Sequence, residues 1–210
     1  MCIILIFFID WKSEILIEKN KQYDNNRKYS NENVKQSNCK ELYKAYIKGN
    51  QTVSIGNKAY TIDALVYEYA STLEEIKYAF FDMNGDENPE LHIRTSRFYI
   101  ILTCKEGEVI FWREESVYST PLNNRAMLYI HSGGAPEHIS YEYKIFDFYG
   151  NIVEQISFEK YDDNEDGSFG ENDLYLFSDV QISKKVWNEL TKKYLSISSD
   201  QIQWIDYFNE

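Results

Sequence analysis

Ile76-Lys77-Tyr78-Ala79-Phe80-Phe81-Asp82-Met83-Asn84-Gly85-Asp86-Glu87-Asn88-Pro89-Glu90-Leu91-His92-Ile93-Arg94 reads as strand, loop, strand. Ile76–Phe80 and Leu91–Arg94 are short apolar runs without helical period, so the loop between them is not an EF-hand. Asp82, Asn84 and Asp86 stand at positions 1, 3 and 5 of that loop. The Asn88 backbone carbonyl would supply position 7, and Glu90 position 9. A tightly curled loop turns every second side chain inward, and a hard cation such as Ca2+ takes six to eight oxygens from carboxylates, amides, carbonyls and water. Gly85 permits the curl, and Pro89 stiffens the exit.

The pattern after residue 76 predicts a β-meander. Leu91–Thr95, Phe98–Cys104, Val109–Arg113, Ala126–His131, His138–Phe148 and Ile152–Tyr161 follow one another, with residues 114–124 as a loop and Ser132-Gly133-Gly134-Ala135-Pro136 as a turn. Strands joined this closely pair antiparallel. The expectation is seven or eight strands in one sheet, curved or partly closed because flat sheets of that width are unusual. Upstream, Asn38 caps a helix with Glu41 as its capping-box partner, Leu42, Ala45 and Tyr46 on one face, and Gly49 as its stop. Thr52–Ile55, Gly56-Asn57 and Lys58–Ile62 spell a hairpin. A second helix is expected over Asp63–Ala70, with Leu65, Val66 and Tyr69 inward. Downstream come a strand at Leu174–Phe177 and a helix over Lys184–Tyr194 capped by Ser183, burying Val186, Trp187, Leu190 and Tyr194. Gln201–Phe208 reads as a last edge strand. The fold class is thus α+β: a large antiparallel β-meander with short helices at both ends.

A second acidic loop runs from Asp162 to Asp173. Asp162, Asn164 and Asp166 again hold positions 1, 3 and 5; Gly167 is at 6, Ser168 at 7 and Asp173 at 12. Position 12 is where an EF-hand carries a bidentate Glu, and Asp is shorter. Metal site and solvated acidic turn both remain open here.

The first loop resembles the D-x-D-G-D-G-x-P-E-L element of many secreted bacterial proteins, integrin-like FG-GAP and VCBS repeats among them. It is most similar to a class of uncharacterised secreted proteins and lipoproteins of clostridia and their relatives, in which Y-A-F-x-D-x-D-G-D-G-x-P-E-L leads into an aromatic-rich sheet. Tyr78-Ala79-Phe80-Phe81-Asp82 and Pro89-Glu90-Leu91 match. The likeness spans most of residues 38–197 and is most specific at 82–91. Asn84 replaces an Asp, removing a charge. Glu87 replaces the second Gly and must take that Gly's conformation; both changes imply weaker binding than the consensus. The resemblance implies a calcium-dependent secreted or cell-surface module, with an acidic turn near the second loop.

The 210 residues carry 22 Lys and Arg against 34 Asp and Glu, a net charge of −12, which disfavours nucleic acid as a partner. Eighteen Tyr, 12 Phe and 4 Trp favour strands and offer stacking faces to a protein or glycan partner. Cys39 and Cys104 either pair or remain buried thiols; Cys2 lies in the N-terminal run. Residues 1–9 are apolar but too short for a stable membrane span, and are read as a truncated signal, a membrane-associating segment or a core strand. Residues 19–38 are Asn-, Lys-, Gln- and Ser-rich and read as a flexible linker, so the domains are 1–37 and 38–210. No nucleophile elbow, phosphate loop, C-x-x-C or H-E-x-x-H occurs. His131 and His138, with Glu137, flank a turn and would face each other across a hairpin. The chain reads away from an enzyme. Three function classes stand: an extracellular or cell-envelope calcium-binding module of unknown protein or glycan ligand; an acidic cytoplasmic protein-binding (immunity-type) protein; and, third, a carbohydrate-active hydrolase.

Overall fold

The first helix, α1 (Cys39–Ile47), buries Cys39, Tyr43, Tyr46 and Ile47. The expected face through Leu42 and Ala45 is thus rotated by one residue, because the aromatic Tyr43 offers more area to the core than Ala45. Gly49 N–H donates to Tyr46 O and Asn50 N–H to Ala45 O, a Schellman end. The hairpin β1 (Val53–Ile55) and β2 (Lys58–Tyr60) pairs Ile55 with Lys58 around Gly56-Asn57. Thr61 then accepts the Ala64 N–H through Oγ1 and starts α2 (Ile62–Tyr69), which buries Leu65 and Val66. This computed structural model describes residues 39–69, 76–123, 125–132, 137–197, 199 and 202–207. The readings of residues 1–38, of the Tyr69 side chain and of the turn at 133–136 lie outside them.

A five-stranded antiparallel sheet follows, in the order β13-β3-β4-β5-β6. Its members are β3 (Lys77–Phe81), β4 (Glu90–Arg94), β5 (Tyr99–Lys105), β6 (Glu108–Glu115) and the late strand β13 (Ile205–Asp206), which pairs with β3 as the expected edge strand. Alternation divides its side chains. Tyr78, Phe80, Leu91, Ile93, Ile100, Leu102 and Val109 meet α1, the hairpin and α2 in one core. Cys39 and Cys104 form a disulfide across that core, Cα atoms 5.6 Å apart. The opposite face carries Phe81, Tyr99 and Ile101 into a second core.

One continuous sheet was expected; the strands divide into two. Among the described residues β6 pairs only with β5, and the chain then passes to a six-stranded antiparallel sheet in the order β12-β11-β10-β9-β8-β7. Its strands are β7 (Ser119–Leu122), β8 (Ala126–Ser132), β9 (His138–Phe146), β10 (Ile152–Tyr161), β11 (Leu174–Phe177) and β12 (Val180–Gln181). Residues 114–124, expected as a loop, therefore contain β7. Pro121 is tolerated in β7 because β7 is an edge strand, where proline is accommodated. Met127 and Phe146 from this sheet meet Phe81, Tyr99 and Ile101 from the other, so each wide twisted layer covers apolar area of its neighbour. Among the described residues neither sheet closes into a barrel. On the far face of the six-stranded sheet lies α3 (Lys184–Leu195), whose N-cap Ser183 accepts the Val186 N–H. α3 buries Trp187, Leu190 and Thr191, while Val186 and Tyr194 stay half-buried. Trp187 packs on Tyr141 and Tyr175, and Tyr194 on Tyr143 and Phe158.

Candidate metal loops

The first loop joins β3 to β4 and is curled by its own acidic side chains. Asp82 Oδ1 accepts the N–H groups of Gly85 (2.7 Å) and Asp86 (3.1 Å), and Oδ2 that of Glu87 (2.9 Å). Asn84 Oδ1 accepts Asp86 N–H at 2.9 Å, and Asp86 Oδ1 accepts Asn88 N–H at 2.7 Å. Short polar side chains bonding backbone two to five residues on are what Asp and Asn do in turns. Gly85 sits at φ +77° and Glu87 at φ +68°. Glu87 thus occupies the left-handed conformation expected from the consensus glycine it replaces. Arg125, from the turn between β7 and β8, lies so close over Gly85 that a Cβ there would stand 2.2 Å from Nε. Nothing in the sequence signals this contact, because it comes from the other sheet.

Glu90 closes the loop from the first position of β4. It is 1% exposed; Oε2 accepts the Met83 N–H at 2.8 Å, while Oε1 is buried without a hydrogen-bond partner. Burial, with added repulsion from Asp86 and Asp82, pushes its carboxyl up to about 8. Burial, assisted by Asp82, also raises Asp86. His92 is two residues beyond Glu90 on β4. Alternation puts it on the Glu90 face, wholly buried, with Nδ1 2.7 Å from Tyr99 Oη and Nε2 3.2 Å from the Phe81 carbonyl just before Asp82. Desolvation lowers it to about 4. As a neutral ring it accepts from Tyr99 and donates to Phe81 O, bracing the strand behind the loop.

The second loop, between β10 and β11, repeats the first. Asp162 Oδ1 accepts Asp166 N–H (3.2 Å) and Oδ2 accepts Gly167 N–H (2.7 Å). Asn164 Oδ1 accepts Asp166 N–H (2.9 Å), and Asp166 Oδ1 accepts Ser168 N–H (2.9 Å). These four bonds match, position for position, those of Asp82, Asn84 and Asp86. Left-handed residues fall at the same two places: Glu165 at φ +57° and Gly167 at φ +81°. Each loop therefore has one glycine and one glutamate at its two left-handed positions, in opposite order. Each also ends beside a buried carboxylate with an unpartnered oxygen, since Asp173 is 6% exposed and its Oδ1 has no partner, while Oδ2 accepts Gly170 N–H. Lys184 at the start of α3 donates to Phe169 O at 2.6 Å and holds the loop to the helix. The loops differ in solvation: Asp166 is exposed and held low by the Ser168 hydroxyl and amide, whereas Asp86 is half-buried and held high.

Among the described residues, no three His, Cys, Asp or Glu side chains already converge as a cage. A loop site does not require that, because an Asn amide and a backbone carbonyl supply part of the shell. The orphaned oxygens of Glu90 and Asp173 are acceptors that a cation would satisfy, and the donor sets, all oxygen, suit a hard ion. Asp82, Asn84, Asp86, Glu90 and the Asn88 carbonyl would hold it in the first loop; Asp162, Asn164, Asp166, Asp173 and the Ser168 carbonyl in the second. The suggested histidine pair is arranged differently. His131 Nδ1 lies 3.1 Å from Tyr129 Oη, while His138 stacks on Tyr161 at 4.2 Å and reaches Glu159 at 3.4 Å. Comparison with protein-family models, curated proteins and solved structures found no match to this chain. No helix among the described residues is long and apolar enough to cross a membrane.

Proposed function

We propose that the chain is a calcium-binding module of the cell surface or extracellular space, similar to the secreted clostridial class. The observation that carries this reading is the pair of loops with the same four hydrogen bonds, each ending at a buried carboxylate with an unpartnered oxygen. In the first loop Asp82, Asp86 and Glu90 repel one another in a half-buried setting; a divalent cation there offsets both the repulsion and the desolvation. The second loop is open, so it gains less and binds more weakly. The Cys39–Cys104 disulfide supports an oxidising compartment. Millimolar extracellular calcium would keep such sites filled and join the β3–β4 and β10–β11 turns to the stability of the whole domain.

The test is a thermal melt of the full chain with millimolar calcium and with excess chelator. A site held at about a hundred times its Kd adds about 2.7 kcal/mol, an upward shift of several degrees. Coincident melts would contradict the proposal. They would favour the acidic protein-binding reading, for which the net charge of −12 and the exposed Tyr67 and Tyr149 speak.

A further inference from the structure

The passage from one sheet to the other opens a cleft that neither loop uses. β6 is the edge of the five-stranded sheet and β7 the edge of the six-stranded one. In the β5–β6 ladder the register shifts between Ile101 and Leu102, whose partners are Arg113 and Phe111, so Trp112 is an extra residue. That bulge re-aims the strand: Phe111 packs toward the first core, and Arg113 and Glu115 turn toward β9. Between the two edges lies a cavity of about 520 Å³ lined by Arg97, Glu114, Glu115, Tyr129, Glu142 and Lys144. This volume lies in the range of small-ligand sites, but the lining is polar, which excludes a lipid or an apolar ligand.

We infer that this cleft binds a short neutral glycan. Its less exposed charges, Glu115, Glu142 and Lys144, are already paired. Lys144 Nζ stands 3.3 Å from Glu115 and 3.4 Å from Glu142; Arg113 lies 3.6 Å from Glu115, and Gln155 donates to Glu142. The Glu115 side chain is only 7% exposed. An ionic ligand would have to break these part-buried pairs, leaving a partner uncompensated. A sugar hydroxyl breaks none. Each one donates to a remaining carboxylate lone pair or accepts from a remaining Lys or Arg N–H. Arg97 and Glu114 add an exposed donor and acceptor whose side chains have no partner among the described residues. Three carboxylates against two cations leave the lining close to balanced in a chain of net charge −12, as a neutral ligand requires. Among the lining residues Tyr129 supplies an aromatic ring of the kind that packs on the C–H face of a pyranose.

The test is to probe the full chain, in calcium-containing buffer, with an array of neutral oligosaccharides and a parallel array of dipeptides, then to titrate the best sugar. At least one neutral oligosaccharide binds. Arg97→Ala and Glu114→Ala, both at exposed lining positions, each weaken it about tenfold, whereas Tyr67→Ala on α2 leaves it unchanged. Absence of any sugar signal, tighter binding of a dipeptide, or an affinity unaltered in both cleft variants overturns the inference.

Discussion

Glu90 makes the first loop sensitive to pH in a direction opposite to most carboxylates. Its ordinary value is 4.5, and burial pushes it up to about 8, so over that window the folded chain keeps a proton that the unfolded chain has lost. Its contribution to stability is complete below pH 4.5 and is lost as pH rises toward 8. His92 works at the other end: lowered to about 4 from 6.5, it costs stability as pH falls through that range and is silent above it. Between pH 6.5 and 8 the Glu90 effect stands alone of the two. The metal-free protein should lose about 2 kcal/mol across this interval, and Glu90→Gln should flatten the dependence. Urea denaturation in chelator at the two pH values checks this; an equal loss in the variant would refute it. Gly167 provides a second test. It sits at φ +81° with nothing near its Cβ position, so Gly167→Ala should cost about 1 kcal/mol from backbone strain alone. Gly85→Ala should cost more, because its Cβ also displaces Arg125.

At the scale of elements, the disulfide joins α1 to β5 across 65 residues of sequence. Replacing both cysteines by serine should lower stability by roughly 4 kcal/mol in denaturant titration under oxidising conditions; no change would show that the bond does not form in solution. Most elements were legible because their signals are local. Gly56-Asn57 spells a two-residue turn, Ser183 a cap, and Tyr141 and Tyr143 a strand face. The 1-3-5 spacing of Asp82, Asn84 and Asp86 announces the loop, and the place of Glu87 in it anticipates the left-handed backbone. Other features depend on partners distant in sequence. Ser116-Val117-Tyr118 contains neither Gly nor Pro to mark the change of sheet, Pro121 hid an edge strand, and the bulge at Trp112 follows from ladder register. The burial of Glu90, which gives the first loop its electrostatics, arises from tertiary packing and has no signature in the loop itself.

In the whole molecule the two loops lie on two different sheets, equivalent in backbone but unequal in solvation. Calcium should therefore enter in two steps, first at the half-buried loop of Asp82, Asp86 and Glu90, then at the open loop of Asp162 and Asp166. Isothermal titration of calcium into the metal-stripped full chain is the most direct measurement. Two equivalents should bind, the tighter one lost in Asp86→Ala and the weaker one lost in Asp166→Ala. No binding heat in the parent protein, or a stoichiometry unaltered in both variants, would contradict it.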